Sequence, residues 1–197
     1  MPDFEIVRDD DPRRAVLEQG GYTVVGESWG ARLRDPDRAL LEAAVLRAAA
    51  AGLSVREVGP EYAQALCDLE TTNAADYPYT PATAHTARDL AGTQNLWLEG
   101  GRVFGALDGE RLVGATVIRA VGDRAETAFT SVLPEYRGKG IGQAVKAASI
   151  LALLADGCTL FGTGGAGLNA ASLGANEALG YTIEERWYSY APPAANH

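Results

Sequence analysis

A strand that runs into a glycine-rich turn and then into a helix is the feature that most constrains this chain. The segment is Phe129-Thr130-Ser131-Val132-Leu133-Pro134-Glu135-Tyr136-Arg137-Gly138-Lys139-Gly140-Ile141-Gly142, continued by Gln143-Ala144-Val145-Lys146. The first N–H groups of a helix have no partner within it. They lie at the positive end of the helix dipole. Glycines let phosphates approach that bare main chain, so the turn can hold a pyrophosphate without a dedicated side chain. Arg137 and Lys139 add positive charge to a chain whose net charge is −9. Glycines alone would equally suit an ordinary strand–turn–helix joint.

The longer string is more specific. Val132, Pro134, Arg137, Gly138, Gly140, Ile141 and Gly142 fit the pattern Val-x-Pro-x-x-Arg-Gly-x-Gly-Ile-Gly with no gap. The chain thereby resembles the GCN5-related N-acetyltransferases, the GNAT family. A second block, Thr163, Asn169, Asn176, Leu179, Gly180 and Tyr181, resembles that family's late segment, in which spaced asparagines lead to Leu-Gly-aromatic. The resemblance covers roughly residues 53–190. It implies acetyl-CoA as cofactor. The cofactor-binding residues it implies are Val132 and Leu133 at the strand end, Arg137, Gly138, Lys139, Gly140, Ile141, Gly142 and Gln143 in the turn, and Asn169 with Ser172 late in the chain. Asn169 is also a good N-cap type, and Gly180 suits the position just past a helix.

Acetyl transfer to an amine needs a deprotonated nucleophile beside the thioester and an exit for the thiolate. The family's frequent base is a glutamate on the strand before the turn, and Glu126 is the acid there. Period-two alternation would put Glu126 on the face of Ala128 and Thr130. An exposed strand-start residue would look the same. Ser131 and Asp76 are the other candidate bases, acting through water. Many relatives carry a tyrosine acid seven residues after the Asn169 position, where this chain has Asn176. Asp76, Tyr77, Tyr79 and Trp187 are the candidate acceptor contacts, since aromatic rings with an acid suit a cation carrying an apolar body. The function expected is direct acetyl transfer to a primary amine of a small molecule. The alternative is a non-catalytic acyl-CoA-binding or interaction module.

Composition narrows the partners. An acidic chain lacks the basic surface that nucleic-acid binding needs. Cys67 and Cys158 have no metal spacing, and His85 and His197 cannot build a histidine site. No metal is expected. The start, Met1-Pro2-Asp3-Phe4-Glu5, is not a signal peptide, and no apolar run reaches membrane-spanning length. The chain reads as cytoplasmic.

The element order predicts an α/β fold: a mixed, mostly antiparallel GNAT-like sheet flanked by helices. Residues 53–58 alternate as a strand, and Gly59-Pro60 opens a helix. A polar loop is expected over Thr71 to Pro81 and a short helix over Ala84 to Leu90. Asp108-Gly109 marks a hairpin between residues 103–107 and 112–118. A strand is expected over 125–133, a helix to about Ala155, a short strand at 159–161, a helix from Asn169 to Leu179 and a strand over 182–190. Gly162-Thr163-Gly164-Gly165-Ala166-Gly167 mimics a dinucleotide fingerprint, but too few strands follow for a Rossmann sheet. It reads instead as a mobile turn.

Residues 1–51 form an N-terminal arm ahead of a domain at 52–197. Strands are expected at 4–7 and 22–25, with helices at 12–19 and 37–51. Gly21-Tyr22-Thr23-Val24 echoes Gly180-Tyr181-Thr182-Ile183, so the arm resembles the truncated end of a second GNAT unit. Its strand edges need cover, on the main sheet or across a homodimer.

Overall fold

The structure, a computed structural model, describes residues 4–76, 80–83 and 86–193. Tyr77 and Tyr79 lie outside them. One eight-stranded sheet organises the chain. Its strands are β1 (Glu5–Arg8), β2 (Thr23–Arg34), β3 (Ser54–Val58), β4 (Gly101–Asp108), β5 (Arg111–Val121), β6 (Arg124–Val132), β7 (Leu160–Ala166) and β8 (Thr182–Ala191). The order across the sheet is β1-β8-β2-β7-β6-β5-β4-β3. All neighbours run antiparallel except β6 and β7. The helices are α1 (Arg13–Gln19), α2 (Arg38–Ala50), α3 (Ala63–Asn73), α4 (Leu90–Leu98), α5 (Ile141–Ala155) and α6 (Ala170–Glu177).

Side-chain alternation on the central strands sends apolar groups to both faces. Phe104, Ile118 and Ala125 pack with Leu41 and Ala44 of α2 and with Ala147, Ile150 and Leu153 of α5. Val103, Val117 and Phe129 face the other way, toward Leu66 and Leu69 of α3 and Leu96 of α4. The hairpin falls where Asp108-Gly109 places it, and Gly109 takes a positive φ of 60°.

The first segment enters the sheet in cis. Strand β2 inserts between β7 and β8, pairing with both, and β1 covers the outer edge of β8. The four strands β1-β8-β2-β7 have a palindromic order. Exchanging β1 with β7 and β2 with β8 returns the same arrangement.

Three expectations need correction. The polar loop begins later than Thr71, because α3 continues to Asn73 and a 3-10 turn follows over Ala74–Asp76. Tertiary bonds hold that last turn: the Asn73 amide donates to Ser131 Oγ at 2.6 Å. The short helix expected over Ala84 to Leu90 is absent from its described part, Ala84 and His85 lying outside the described residues. Residues 86–89 are not helical, and α4 starts at Leu90, where the Asp89 side chain caps Gly92 N–H at 2.8 Å. The glycine run from Gly162 is no mobile turn. Through Ala166 it is strand β7, paired along its length with β2.

Those glycines serve packing. A Cβ on Gly164 would lie 2.9 Å from the Trp29 carbonyl oxygen, and one on Gly165 would lie 2.8 Å from the Trp29 ring. A Cβ on Gly162 would overlap the Glu126 carboxylate. Trp29, buried on β2, donates its indole N–H to the Ala166 carbonyl at 3.2 Å.

Candidate functional site

Strands β6 and β7 pair only over residues 124–126 and 160–162. Beyond that point β7 follows β2, and β6 leaves toward the glycine turn. The parting of two parallel strands opens a cleft of about 500 Å³, within the range of small-molecule sites. Residues 130–132 of β6 form one wall, α6 forms the other, and the start of α5 closes one end.

At that closed end, Gly138 and Gly140 have φ of 73° and 75°, a region that side chains avoid. A Cβ on Gly138 would meet nothing within 4 Å. The space beside the main chain is therefore open. Gly140 is the N-cap of α5 and offers no side chain to the helix's free N–H groups. Gly138, Gly140, Ile141, Gly142 and Gln143 all line the cleft. On the opposite wall Asn169 caps α6, accepting from Ser172 N–H at 3.0 Å. These residues fit a CoA pyrophosphate and pantetheine: bare N–H donors for phosphate, and amide and hydroxyl groups for the arm.

Arg137 turns partly away from that end. Its guanidinium donates to Asn73 Oδ1 at 2.6 Å, to Asp76 Oδ2 at 2.7 Å and to the Val132 carbonyl at 3.0 Å. It locks the end of α3 to the end of β6, and Asp76 partly neutralises it. Lys139 donates to the Glu135 carbonyl and does not line the cleft. Leu133 is buried in the core, with its N–H bonded to Val113 O at 2.9 Å.

The candidate catalytic pair is split. Ser131 is buried, lines the cleft and accepts from Asn73. Glu126 does not line it. Its side chain is 60% exposed and lies 3.8 Å from the Arg32 guanidinium. Its face also differs from the expected one. The β5–β6 register slips between Val117↔Phe129 and Ile118↔Thr127, leaving Ala128 as a bulge. The extra residue resets the alternation, so Glu126 shares a face with Phe129 and Ser131, not Thr130. Trp187 stands far along β8, paired with Arg8 and Ser28, and its indole N–H reaches Glu185 at 3.3 Å. Of the acceptor candidates, Asp76 lines the cleft.

Asn73 and Lys146 line the cleft as well, and neither was among the candidates. Asn73 gave little sequence signal. Lys146 gave one: it is the single charged residue of α5. It is buried at 4% exposure, and its Nζ donates to Thr163 Oγ1 at 3.0 Å and Asn176 Oδ1 at 2.5 Å. Burial pulls its pKa down to about 7. Burial also raises the Tyr181 phenol beside it.

Among the described residues, no cluster of His, Cys, Asp and Glu could hold a metal, and no helix is long and apolar enough to cross a membrane.

Comparison with known proteins agrees with the geometry. The model of the Acetyltransferase (GNAT) family matches residues 66–181, more than half of the chain. Comparison with curated proteins gave no match. Among solved structures, a tandem GNAT protein from the clavulanic acid biosynthesis pathway is 20% identical, with a TM-score of 0.66 over 98% of this chain and 64% of its own. A GCN5-related N-acetyltransferase from Sphaerobacter thermophilus is 15% identical, with a TM-score of 0.71 over 96% of this chain and 60% of its own. One from Kribbella flavida is 17% identical, with a TM-score of 0.61 over 98% and 68%. The chain thus spans less than two thirds of the length of the first two. Their likeness gives the fold, and the family match over more than half of the sequence gives the membership: the chain belongs to the GNAT acetyltransferase family.

Proposed function

We propose that the chain is an acetyl-CoA-dependent N-acetyltransferase that moves the acetyl group directly to a primary amine of a small molecule. One observation carries this reading. The cleft between the parted strands is lined both by a bare helix N-terminus and by the buried polar side chains Ser131, Asn176 and Lys146.

Acetyl-CoA supplies an activated thioester. The α5 turn holds the phosphates through the N–H groups of residues 141–143, and Asn169 and Ser172 meet the arm. Residues 130–132 fix the acyl end beside an incoming amine. Such positioning accounts for up to about 7–11 kcal/mol of a barrier. Glu126 or Ser131, through water, takes the amine proton. The acceptor enters on the Ser131 side of the cleft, with Asp76 at its rim and Tyr77 and Tyr79 as further contacts, while Trp187 stands outside the cleft. A cationic amine suits a chain of net charge −9. The same reading takes the protein as cytoplasmic, with no nucleic-acid or membrane partner.

A second reading has specific support. Asp76 is tied to Arg137, Glu126 faces Arg32, and Asn176 has no acidic proton. These features favour a non-catalytic acyl-CoA-binding module. Calorimetry with acetyl-CoA, then thiol release across a panel of small amines, separates the two. Binding with turnover is expected. Binding with no turnover on any amine favours the module, and no binding refutes both.

We also propose that residues 1–51 are a partial repeat of a GNAT unit ahead of the domain at 52–197. The palindromic order β1-β8-β2-β7 supports it.

A further inference from the structure

Lys146 is unusual for its place. An ammonium removed from water is costly unless an anion or several acceptors replace the lost solvent. Here the acceptors are two, Thr163 Oγ1 and Asn176 Oδ1, for a group with three N–H donors. The Tyr181 ring lies 5.3 Å from Nζ. Among the described residues no carboxylate pairs with it, and burial is the cause of its lowered pKa. Its position is four residues past Gly142, about 6 Å further along α5. It lines the cleft there, as do Thr130 and its partner Asn176. A buried cation without a counter-anion, on the wall of a cleft where a thiolate must form, is suited to that anion.

We propose that Lys146 is the acid that protonates the departing CoA sulfur. The proposal rests on the acetyl-CoA reading above. As the amine nitrogen bonds to the acyl carbon, the C–S bond breaks and its electron pair stays on sulfur. Nζ gives that sulfur a proton and becomes a neutral amine. The proton lost by the acceptor nitrogen passes to water through the base, and Lys146 regains one from solvent after the free thiol leaves. Thr163 and Asn176 aim the ammonium. With its pKa drawn to about 7, Lys146 can both give and regain a proton near neutrality.

The titratable neighbour is Tyr181. Thr163 on β7, Asn176 on α6 and Thr130 on β6 are neutral. Glu126 and Arg32 act on the Tyr181 phenol and do not shift Lys146. The pH response should therefore be that of Lys146 and the thiol, titrating as a coupled pair.

The test needs no acceptor. CoA is bound to the full chain, and its thiolate absorbance is titrated against the desulfo-CoA complex as blank, which cancels Cys67, Cys158 and the tyrosines. In the wild type the bound thiol should be ionised to about a tenfold greater fraction than free CoA near pH 7, where Lys146 still carries its proton. In Lys146→Met and Lys146→Gln that excess should vanish. A wild-type complex with no more thiolate than free CoA near pH 7 overturns the proposal even if neither variant folds. So do variants that bind CoA and titrate like the wild type. A wild type that fails to bind CoA overturns instead the acetyl-CoA reading beneath it.

Discussion

Two glycine-rich stretches flank α5, and they do opposite things. In the turn before it, Gly138 and Gly140 sit at positive φ, and the space a Cβ would enter at Gly138 is open. In β7 after it, Gly162, Gly164 and Gly165 are extended, and the space beside them already holds Glu126 and Trp29. The first set keeps room for a ligand. The second gives that room to the protein itself, so that β2 can lie close against β7. A string of glycines therefore points to a phosphate site only where the backbone conformation demands glycine and nothing of the chain fills the gap.

The sharpest way to break this contrast is Gly140→Val. A β-branched residue at φ near 75° is strained, and its side chain enters the cleft beside the N–H donors. Losing about two charge-assisted bonds weakens CoA binding by about 100-fold or more. The fold should persist by circular dichroism. Calorimetry that finds wild-type affinity in the folded variant removes the phosphate assignment.

Next come Glu126→Gln and Gly162→Ala. If Glu126 takes the amine proton, the glutamine variant should lower kcat by about 100-fold with acetyl-CoA affinity intact. The loss should shrink as pH rises and free amine becomes abundant. Gly162→Ala pushes the same carboxylate from its place, so kcat should fall by about tenfold or more. Wild-type rates in both variants at neutral pH pass the base role to Ser131 and water.

The smallest effect is on stability alone. Gly165→Ala sets a methyl against the buried Trp29 ring and should cost about 1–3 kcal/mol. CoA affinity should not change. A variant as stable as the wild type in urea would mean that Trp29 has room to move, and the packing role of the second stretch would fall.

Features with local causes were readable from the residues alone. Positive-φ glycines, the hairpin turn at Asp108-Gly109 and the Asn169 cap are each set by a few adjacent residues. The β6–turn–α5 unit and most of the phosphate end of the cleft were legible for that reason. Features that depend on distant partners came only with the folded chain. Strand β2 extends to Arg34, and β7 is a strand at all, because each pairs with the other across most of the chain's length. Glu126 turned to the other face through a single bulge at Ala128, which alternation cannot foresee. Arg137 found Asn73 and Asp76 only because α3 ends over β6. Lys146 shows the boundary most plainly. Its charge stood visible in an apolar helix, but its burial and its two acceptors come from β7 and α6, and a pKa is set by what surrounds a group in space.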